Sequence, residues 1–225
     1  MPRPPSIDLS ELYKPHSQQV KAHLAPEKTV LFGGAIRGGK TVWMVAEGIQ
    51  LSIDYPGNVG ILCRQDMPAF KRTVLVELEK YQDAGMWCDK CLCNHSLIIQ
   101  HHQTDHYFKV YTGEGKKPSI IWYTGLGDDK RGLASKMGMT LGWFGIDQVE
   151  EVSKIHFDNL MGRLSLNIPG IRYKALLTAN PMPGWAKQKF IENHPANMIY
   201  IPSLPKDNPY LPEGYEEGLR AEYPD

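Results

Sequence analysis

The sequence predicts an α/β fold in which a mostly parallel central sheet is flanked by helices. Three observations lead to this prediction. Short apolar runs recur along the chain, and most are continuous, as is typical of strands buried on both faces of a parallel sheet. Segments with apolar residues at helical spacing follow these runs. The strand-then-helix order repeats, and such repeats form crossover units within one sheet.

The first half of the chain is expected to supply two strand–helix units behind a short N-terminal helix. Residues 29–32 form an apolar run that stops at two glycines, and the next run follows Pro56 and Gly57. Because glycine and proline end regular elements, these breaks bound the helix between the two runs. The expected elements are a helix over Gln18–Leu24, a strand over Thr29–Phe32, a helix over Lys40–Ser52, a strand over Val59–Cys63 and a helix over Met67–Tyr81.

The middle of the chain, residues 88–127, has a different pattern. Histidine, glutamine, threonine and aromatic residues alternate there with apolar residues, and Gly113-Glu114-Gly115 is typical of a turn. We therefore expect two or three antiparallel strands inserted into the α/β core. The segments concerned are Ser96–Ile99, Tyr107–Tyr111 and Ser119–Tyr123.

The last third is expected to complete the core and then to leave it. Leu141–Ile146 predicts a strand ending in Asp147, Val152–Leu164 a helix, and Tyr173–Thr178 a further strand. The rest of the chain is rich in proline and tyrosine, which indicates a small closing subdomain or linker. We expect one domain over residues 1–205 and a lid or linker segment over residues 206–225.

The charge balance limits the kind of nucleic-acid contact to expect. Lysine plus arginine and aspartate plus glutamate each number 25 in 225 residues. A tight, salt-driven nucleic-acid binder normally carries a clustered basic excess, so the balance argues against one and leaves weak contact open. No apolar run has the length of a membrane span, and the N-terminus lacks the apolar stretch of a secretory signal. A cytoplasmic protein is expected.

A phosphate-binding loop is predicted between the first expected strand and its helix. The segment from Gly34 to Thr41 fits the pattern G-x-x-x-x-G-K-[ST] at every fixed position. Glycines let backbone N–H groups turn towards phosphate oxygens at a helix N-terminus. The lysine charge and the threonine hydroxyl then serve the terminal phosphates and Mg²⁺. The expected nucleotide-binding residues are Gly34, Ala35, Ile36, Arg37, Gly38, Gly39, Lys40 and Thr41.

Hydrolysis at such a loop requires an acid for Mg²⁺ and a group that activates water. Asp147 ends an apolar run and is the expected second metal-site residue beside Thr41, with ATP and Mg²⁺ as cofactors. Glu150 is our candidate for the catalytic base, and Glu151 and Gln148 stay open as alternatives. A glutamine can orient water but cannot accept its proton at neutral pH.

These motifs together resemble the ATPase domain of the large terminase subunit of tailed double-stranded DNA bacteriophages. The resemblance rests on four segments and extends from about Tyr13 to Tyr223. They are the arginine-containing loop Arg37–Thr41, the strand end Phe144–Asp147 with Gln148–Glu151 after it, the Thr178–Pro181 segment, and Lys206–Pro212. The chain departs from the family at Gln148, where terminases usually have glutamate.

The resemblance implies specific roles for residues of the site. Arg37 and Lys40 would act on the γ-phosphate, and Asn180 would sense that phosphate. Gln19 stands where the family has an adenine-reading glutamine, with Gln18 as a close rival. A ring of such domains would also need an arginine from a neighbour, for which Arg131 is a candidate.

The resemblance further implies ATP hydrolysis that drives translocation of double-stranded viral DNA into a procapsid. The implied partners are weakly bound double-stranded DNA, the portal protein and the small terminase subunit. The chain would form a ring on the procapsid and be a monomer in isolation, in the host cytoplasm and transiently at the portal. A nuclease domain would follow residue 225, so no nuclease activity is expected here. The alternatives are another P-loop enzyme, such as a helicase-like enzyme or a small-molecule kinase, and a nucleotide-binding assembly module.

A group of cysteines offers a second, weaker hypothesis. Cys88, Cys91, Cys93 and His95 lie within eight residues of each other, with the C-x-x-C spacing of some zinc sites. The usual second pair of ligands is missing, so free thiols in a loop are favoured. Histidines 101, 102 and 106 are expected on a strand surface.

Overall fold

The computed structural model describes residue 9 and residues 12–82, 85–88, 93–113, 115–127, 138–180, 182–193, 195–215 and 218. The strands are β1 (Thr29–Gly33), β2 (Val59–Arg64), β3 (Gly85–Cys88), β4 (Cys93–Ser96), β5 (Ile98–His102), β6 (Tyr107–Val110), β7 (Ser119–Gly125), β8 (Trp143–Ile146), β9 (Lys174–Ala179) and β10 (Met198–Pro202). The helices are α1 (Ser17–Leu24), α2 (Lys40–Asp54), α3 (Met67–Arg72), α4 (Val74–Glu79), α5 (Lys154–Met161) and α6 (Trp185–Lys187), and α6 continues as a π-helical turn over Gln188–Glu192.

An eight-stranded sheet organises the chain, in the order β10-β1-β9-β8-β2-β7-β6-β5. The first six strands in that order are parallel, and β6 and β5 extend one edge in antiparallel pairing. A separate hairpin pairs β3 with β4. The predicted α/β class with a mostly parallel sheet is therefore confirmed.

Helices cover both faces of the parallel part of the sheet, which explains why its strands are continuous apolar runs. On one face α1 to α4 pack against the sheet, and the rings of Phe32 and Trp43 lie 5.2 Å apart. On the other face α5 and α6 do so, with Phe144 and Phe157 6.1 Å apart. None of the helices that the structure describes has the length and apolar character needed to span a bilayer.

The predicted antiparallel insertion is wrong for its last strand. β7, expected over Ser119–Tyr123, pairs in parallel with β2 and belongs to the core sheet, while only β6 and β5 run antiparallel. Along β7, Ser119 and Ile121 are buried whereas Ile120 and Trp122 are only half-buried. This strand therefore alternates like an antiparallel one because one of its faces is incompletely covered, and the sequence pattern reports burial but not strand direction.

The segment after Asn180 was expected to leave the core, and part of it does not. β10 pairs in parallel with β1 at the edge of the sheet. It is a short edge strand that ends in Pro202 and has only one fully buried residue, Ile201, so it lacks the pattern of a core strand. The polypeptide then passes directly over the loop that follows β1, which gives this segment a place in the candidate site.

Two predicted helices are shorter than expected. The Met67–Tyr81 helix is interrupted at Thr73, whose hydroxyl donates to the Ala69 carbonyl and accepts from Arg64. The Val152–Leu164 helix is α5 alone, preceded by a 3₁₀ turn over Val149–Glu151. Both breaks lie next to the carboxyl ends of sheet strands.

Trp143 is fully buried in β8 and fits against two glycines. A Cβ atom on Gly60 would lie 2.0 Å from the indole, and one on Gly48 would lie 2.5 Å from it. We expect Gly60→Ala to lower the free energy of unfolding by about 2–3 kcal/mol, because overpacking a dense core forces side chains and backbone to shift. Urea denaturation measures this. In the control Gly138→Ala, no described atom lies within 4 Å of the new Cβ, and an equal loss there would contradict the packing argument.

Candidate nucleotide site

The loop from Gly34 to Thr41 joins β1 to α2 in a conformation that few other residues tolerate. Gly34 and Gly39 have positive φ angles of 134° and 71°. A Cβ on Gly34 would lie 2.0 Å from the Ser203 carbonyl oxygen, so glycine permits both the backbone turn and the close approach of the chain after β10. The Gly34 N–H donates to the Ala179 carbonyl at 3.1 Å, which anchors the loop to β9.

Lys40 begins α2 and folds back over the loop. Its Nζ donates to the carbonyl oxygens of Gly34 at 3.2 Å and Ala35 at 2.6 Å. Burial lowers the pKa of the Lys40 ammonium, and the negative charges of Glu150 and Asp147 oppose that shift. A partly desolvated cation beside a helix N-terminus attracts phosphate more strongly than a fully hydrated one.

Asp147 meets the loop although its strand is not next to β1. β9 lies between β1 and β8, and Thr178 of β9 bridges the gap by donating its hydroxyl to Asp147 Oδ1 at 2.7 Å. Thr41 Oγ1 donates to the same oxygen at 2.9 Å, and Arg64 Nη1 lies 3.5 Å from Oδ2. A hydroxyl and a buried carboxylate in contact are the hard oxygen donors that Mg²⁺ prefers. The pair therefore fits the metal that the sequence implies.

Glu150 lies beside these groups in the 3₁₀ turn after β8. Its Oε1 accepts the backbone N–H of Asn180 at 2.8 Å, and Oε2 is buried without a hydrogen-bond partner among the described residues. Burial raises the pKa of Glu150, hydrogen bonds from Asn180 oppose the shift, and the charge of Glu151 adds to it. A buried carboxylate oxygen without a partner is costly, which marks it as a group that serves a ligand.

The two alternatives to Glu150 are placed differently. The Glu151 side chain is 41% exposed, with Oε2 3.9 Å from Arg64 Nε. Gln148 has a φ of 55° and a ψ of 62°, and its N–H donates to the Thr178 hydroxyl. A left-handed conformation is strained for a residue with a side chain, and such strain concentrates at functional sites.

The remaining predicted residues are spread around the loop. Ala35, Ile36 and Arg37 are exposed, and Gln19 is buried with its amide against the Gly39 carbonyl. Arg131 and Pro181 lie outside the described residues.

The cysteine segment is a hairpin and not the expected loop, since its register pairs Cys88 with Cys93. Cys91 and the side chains of Cys88, Cys93 and His95 lie outside what the structure describes. The described residues contain no metal-binding cluster of histidine, cysteine or acid.

Sequence reasoning missed several residues that contact the loop. His16 Nε2 and Ser203 Oγ both donate to the Gly38 carbonyl, and Asn208 Nδ2 donates to that of Arg37. Asn208 lies in the Asp-Asn-Pro segment already noted, but nothing in the sequence indicates the other two. Arg64 was missed as well, although it ends a predicted strand, the position from which Asp147 was chosen.

A strand, a glycine-rich loop, a helix and an acid on a nearby parallel strand define a P-loop NTPase fold. More particularly, the chain has the fold of the ATPase domain of large terminases, as the resemblance implied. No protein-family model matches the chain, and no curated protein matches it. At 18% identity, the large terminase from a thermophilic bacteriophage matches 94% of this chain over 51% of its own length, with a TM-score of 0.74.

Two further solved structures show the same fold. The same thermophilic-phage terminase in complex with ATP-gamma-S matches with a TM-score of 0.70 and 18% identity, over 93% of this chain and 50% of that one. The Thermus phage P74-26 large terminase ATPase domain matches at 0.64 and 16% identity, over 98% of this chain and 94% of that one. The chain thus spans about half the length of the first terminase and nearly all of the isolated P74-26 domain.

Proposed function

We propose that this chain hydrolyses ATP and that hydrolysis drives the movement of double-stranded DNA in a viral packaging motor of the terminase type. The observation that carries the proposal is the contact between Thr41 and Asp147, 2.9 Å apart, at the base of a loop with the full P-loop pattern. Two residues 106 positions apart in sequence meet where a magnesium nucleotide would need them. The shared fold with terminase ATPase domains supports the motor role.

In this proposal the loop backbone and two side chains hold the triphosphate. Lys40 exchanges its carbonyl partners for the β- and γ-phosphate oxygens, and Arg37 turns from solvent to the γ-phosphate. Thr41 and Asp147 hold Mg²⁺, which neutralises charge on the β- and γ-oxygens when bound. Electrostatic stabilisation of the leaving phosphates supplies most of the catalysis expected of such a site.

Glu150 is the proposed base, and its link to Asn180 couples chemistry to movement. The water that attacks the γ-phosphate would give its proton to Oε2, the buried oxygen without a partner among the described residues. Oε1 meanwhile holds the Asn180 N–H. Asn180 ends β9, so loss of the γ-phosphate can reach this strand end through one hydrogen bond. Gln148 then orients water or shapes the turn without accepting a proton.

The motor role requires partners that a single domain need not bind tightly. With equal numbers of acidic and basic residues, one copy is expected to hold duplex DNA weakly, and a ring of copies can sum such contacts. The proposed partners are double-stranded DNA, a portal protein, a small terminase subunit and further copies of this chain. The proposed setting is the host cytoplasm and, during packaging, the procapsid portal.

Movement along DNA tests the proposal. With ATP and Mg²⁺, the chain at ring-forming concentration should displace a third strand from linear duplex DNA, and Asp147→Asn should lower the rate at least ~100-fold because the metal site loses a charge. The control Asp158→Asn changes an exposed carboxylate of α5 and should retain the rate. Hydrolysis that DNA never stimulates, without displacement, would indicate another P-loop enzyme. Nucleotide binding without hydrolysis would indicate an assembly module.

A further inference from the structure

The backbone of the P-loop is held from outside by four side chains. Gln19 Nε2 donates to the Gly39 carbonyl at 2.9 Å, and Asn208 Nδ2 donates to that of Arg37 at 2.6 Å. Between them, the Gly38 carbonyl accepts from two further groups. These are His16 Nε2 at 3.2 Å and Ser203 Oγ at 2.9 Å. Three successive carbonyls are therefore fixed by two distant parts of the chain, the start of α1 and the segment after β10.

Fixing these carbonyls also aims the N–H groups that would face phosphate. In a planar trans peptide, the carbonyl of one residue and the N–H of the next point in opposite directions. Holding the carbonyls of Arg37, Gly38 and Gly39 on the protein side therefore turns the N–H groups of Gly38, Gly39 and Lys40 the other way. These are the donors with which a P-loop cradles phosphate.

Gln19 has no free amide atom with which to read a base. Its Oε1 accepts the His16 N–H at 3.0 Å and its Nε2 is committed to Gly39, while the residue is only 3% exposed. A glutamine that recognises adenine uses both amide atoms, one for the N6 amino group and one for N7. The two functions compete for the same atoms.

We propose that Gln19 is a positioning residue that orients the phosphate loop and does not read the nucleotide base, in contrast to the role that the terminase resemblance implies. This inference rests on the proposed nucleotide site and deepens it. Gln19 acts on the triphosphate only through the Gly39 peptide. The opposite side of the loop has an equivalent residue in Ser203, which is fully buried and holds the Gly38 peptide.

The two roles of Gln19 predict different ligand dependence. A positioning residue contributes equally to every ligand with a triphosphate, including one without a base. A base reader contributes to ATP, less to GTP, and nothing to inorganic tripolyphosphate. The dissociation constants of the magnesium salts of these three ligands, measured by calorimetry, therefore separate the two roles without any measurement of hydrolysis.

We expect Gln19→Ala to weaken ATP, GTP and tripolyphosphate by the same factor, about fivefold, the weight of one neutral hydrogen bond. Ser203→Ala should do the same, and the ratio of ATP to GTP affinity should match that of the wild type in both variants. The matched control is Val20→Ala, on the exposed side of α1, which should bind all three ligands normally. Thermal unfolding checks that each variant is folded at the temperature of the titration.

Each other outcome contradicts the inference. A loss confined to ATP would show that Gln19 reads the base, and unchanged affinity for all three ligands would show that its contact with Gly39 does not matter. A lower unfolding temperature with unchanged tripolyphosphate affinity would assign Gln19 a purely structural role. If the wild type bound neither ATP nor tripolyphosphate, the nucleotide site itself would be wrong, which is a different failure from an ATP-selective loss.

Discussion

Lys40→Ala is expected to lower kcat/KM for ATP hydrolysis by about a thousandfold or more. The ammonium is partly desolvated above the loop and is held by only two carbonyl oxygens, so it is free to transfer to phosphate. Removing one preorganised charged donor from such a site costs about 10²–10³ in rate, and lost ground-state binding of the triphosphate adds to this. Steady-state hydrolysis and calorimetric ATP titration measure both parts.

The matched control is Lys71→Ala, which removes an exposed lysine of α3 and should leave both measurements unchanged. Lys40→Arg is informative as well, because it keeps the charge but replaces a point cation by a wide planar fork. We expect it to recover little activity. If Lys40→Ala hydrolysed ATP at the wild-type rate, the loop would not be the site, and the proposed function would fail with it.

The parts of the site that the sequence predicted are those encoded by local spacing. The loop motif requires only eight consecutive residues, and Asp147 follows directly from the end of an apolar run. Parallel strands place their carboxyl ends at one edge of the sheet, so the meeting of Thr41 with Asp147 follows from the fold class. These predictions needed no knowledge of strand order.

The parts that could not be predicted depend on contacts between distant segments. Ser203 reaches Gly38 across 165 positions and Asn208 reaches Arg37 across 171, because β10 returns to the edge beside β1. The proline-rich, half-exposed β10 gives no core-strand signal, so the sequence could not indicate that this segment crosses the loop. Strand direction was lost at β7 for a related reason, since alternation reports which face is covered and not how a strand is paired.

Gln19 shows how a resemblance and a structure can disagree about one residue. The resemblance placed it in the nucleotide site, and it does lie against the P-loop. Only the hydrogen bonds of its amide indicate that it holds the loop and has no atom left for a base. Hydrogen-bond commitment of a buried polar side chain is thus the observation that separates positioning from recognition.

Glu150→Gln is expected to lower kcat by about 10²–10⁴, the usual contribution of a general base, while ATP binding changes little. The substitution is nearly isosteric, and the amide oxygen of glutamine can still accept the Asn180 N–H that Glu150 Oε1 accepts now. It therefore removes proton acceptance and keeps the local structure. Single-turnover hydrolysis and ATP titration separate the two effects.

The pH dependence of the reaction provides an independent sign of the same base. Burial raises the pKa of Glu150 above its ordinary value of 4.5. A base works only when deprotonated, so the wild-type rate should fall as the pH drops through this raised pKa, at a higher pH than for an exposed glutamate. Glu150→Gln should lack this acid limb, and its residual rate should be flat over the same range.

Glu151→Gln is the matched control, because it makes the same change one residue further on, in a side chain that is 41% exposed. It should keep kcat within a few-fold and retain the acid limb, whereas Gln148→Ala should lower kcat by less than Glu150→Gln if glutamine only orients water. A large loss in Glu151→Gln with wild-type kcat in Glu150→Gln would reverse the assignment. Proton transfer would then occur at the exposed carboxylate, and the buried oxygen of Glu150 would serve the Asn180 strand end alone.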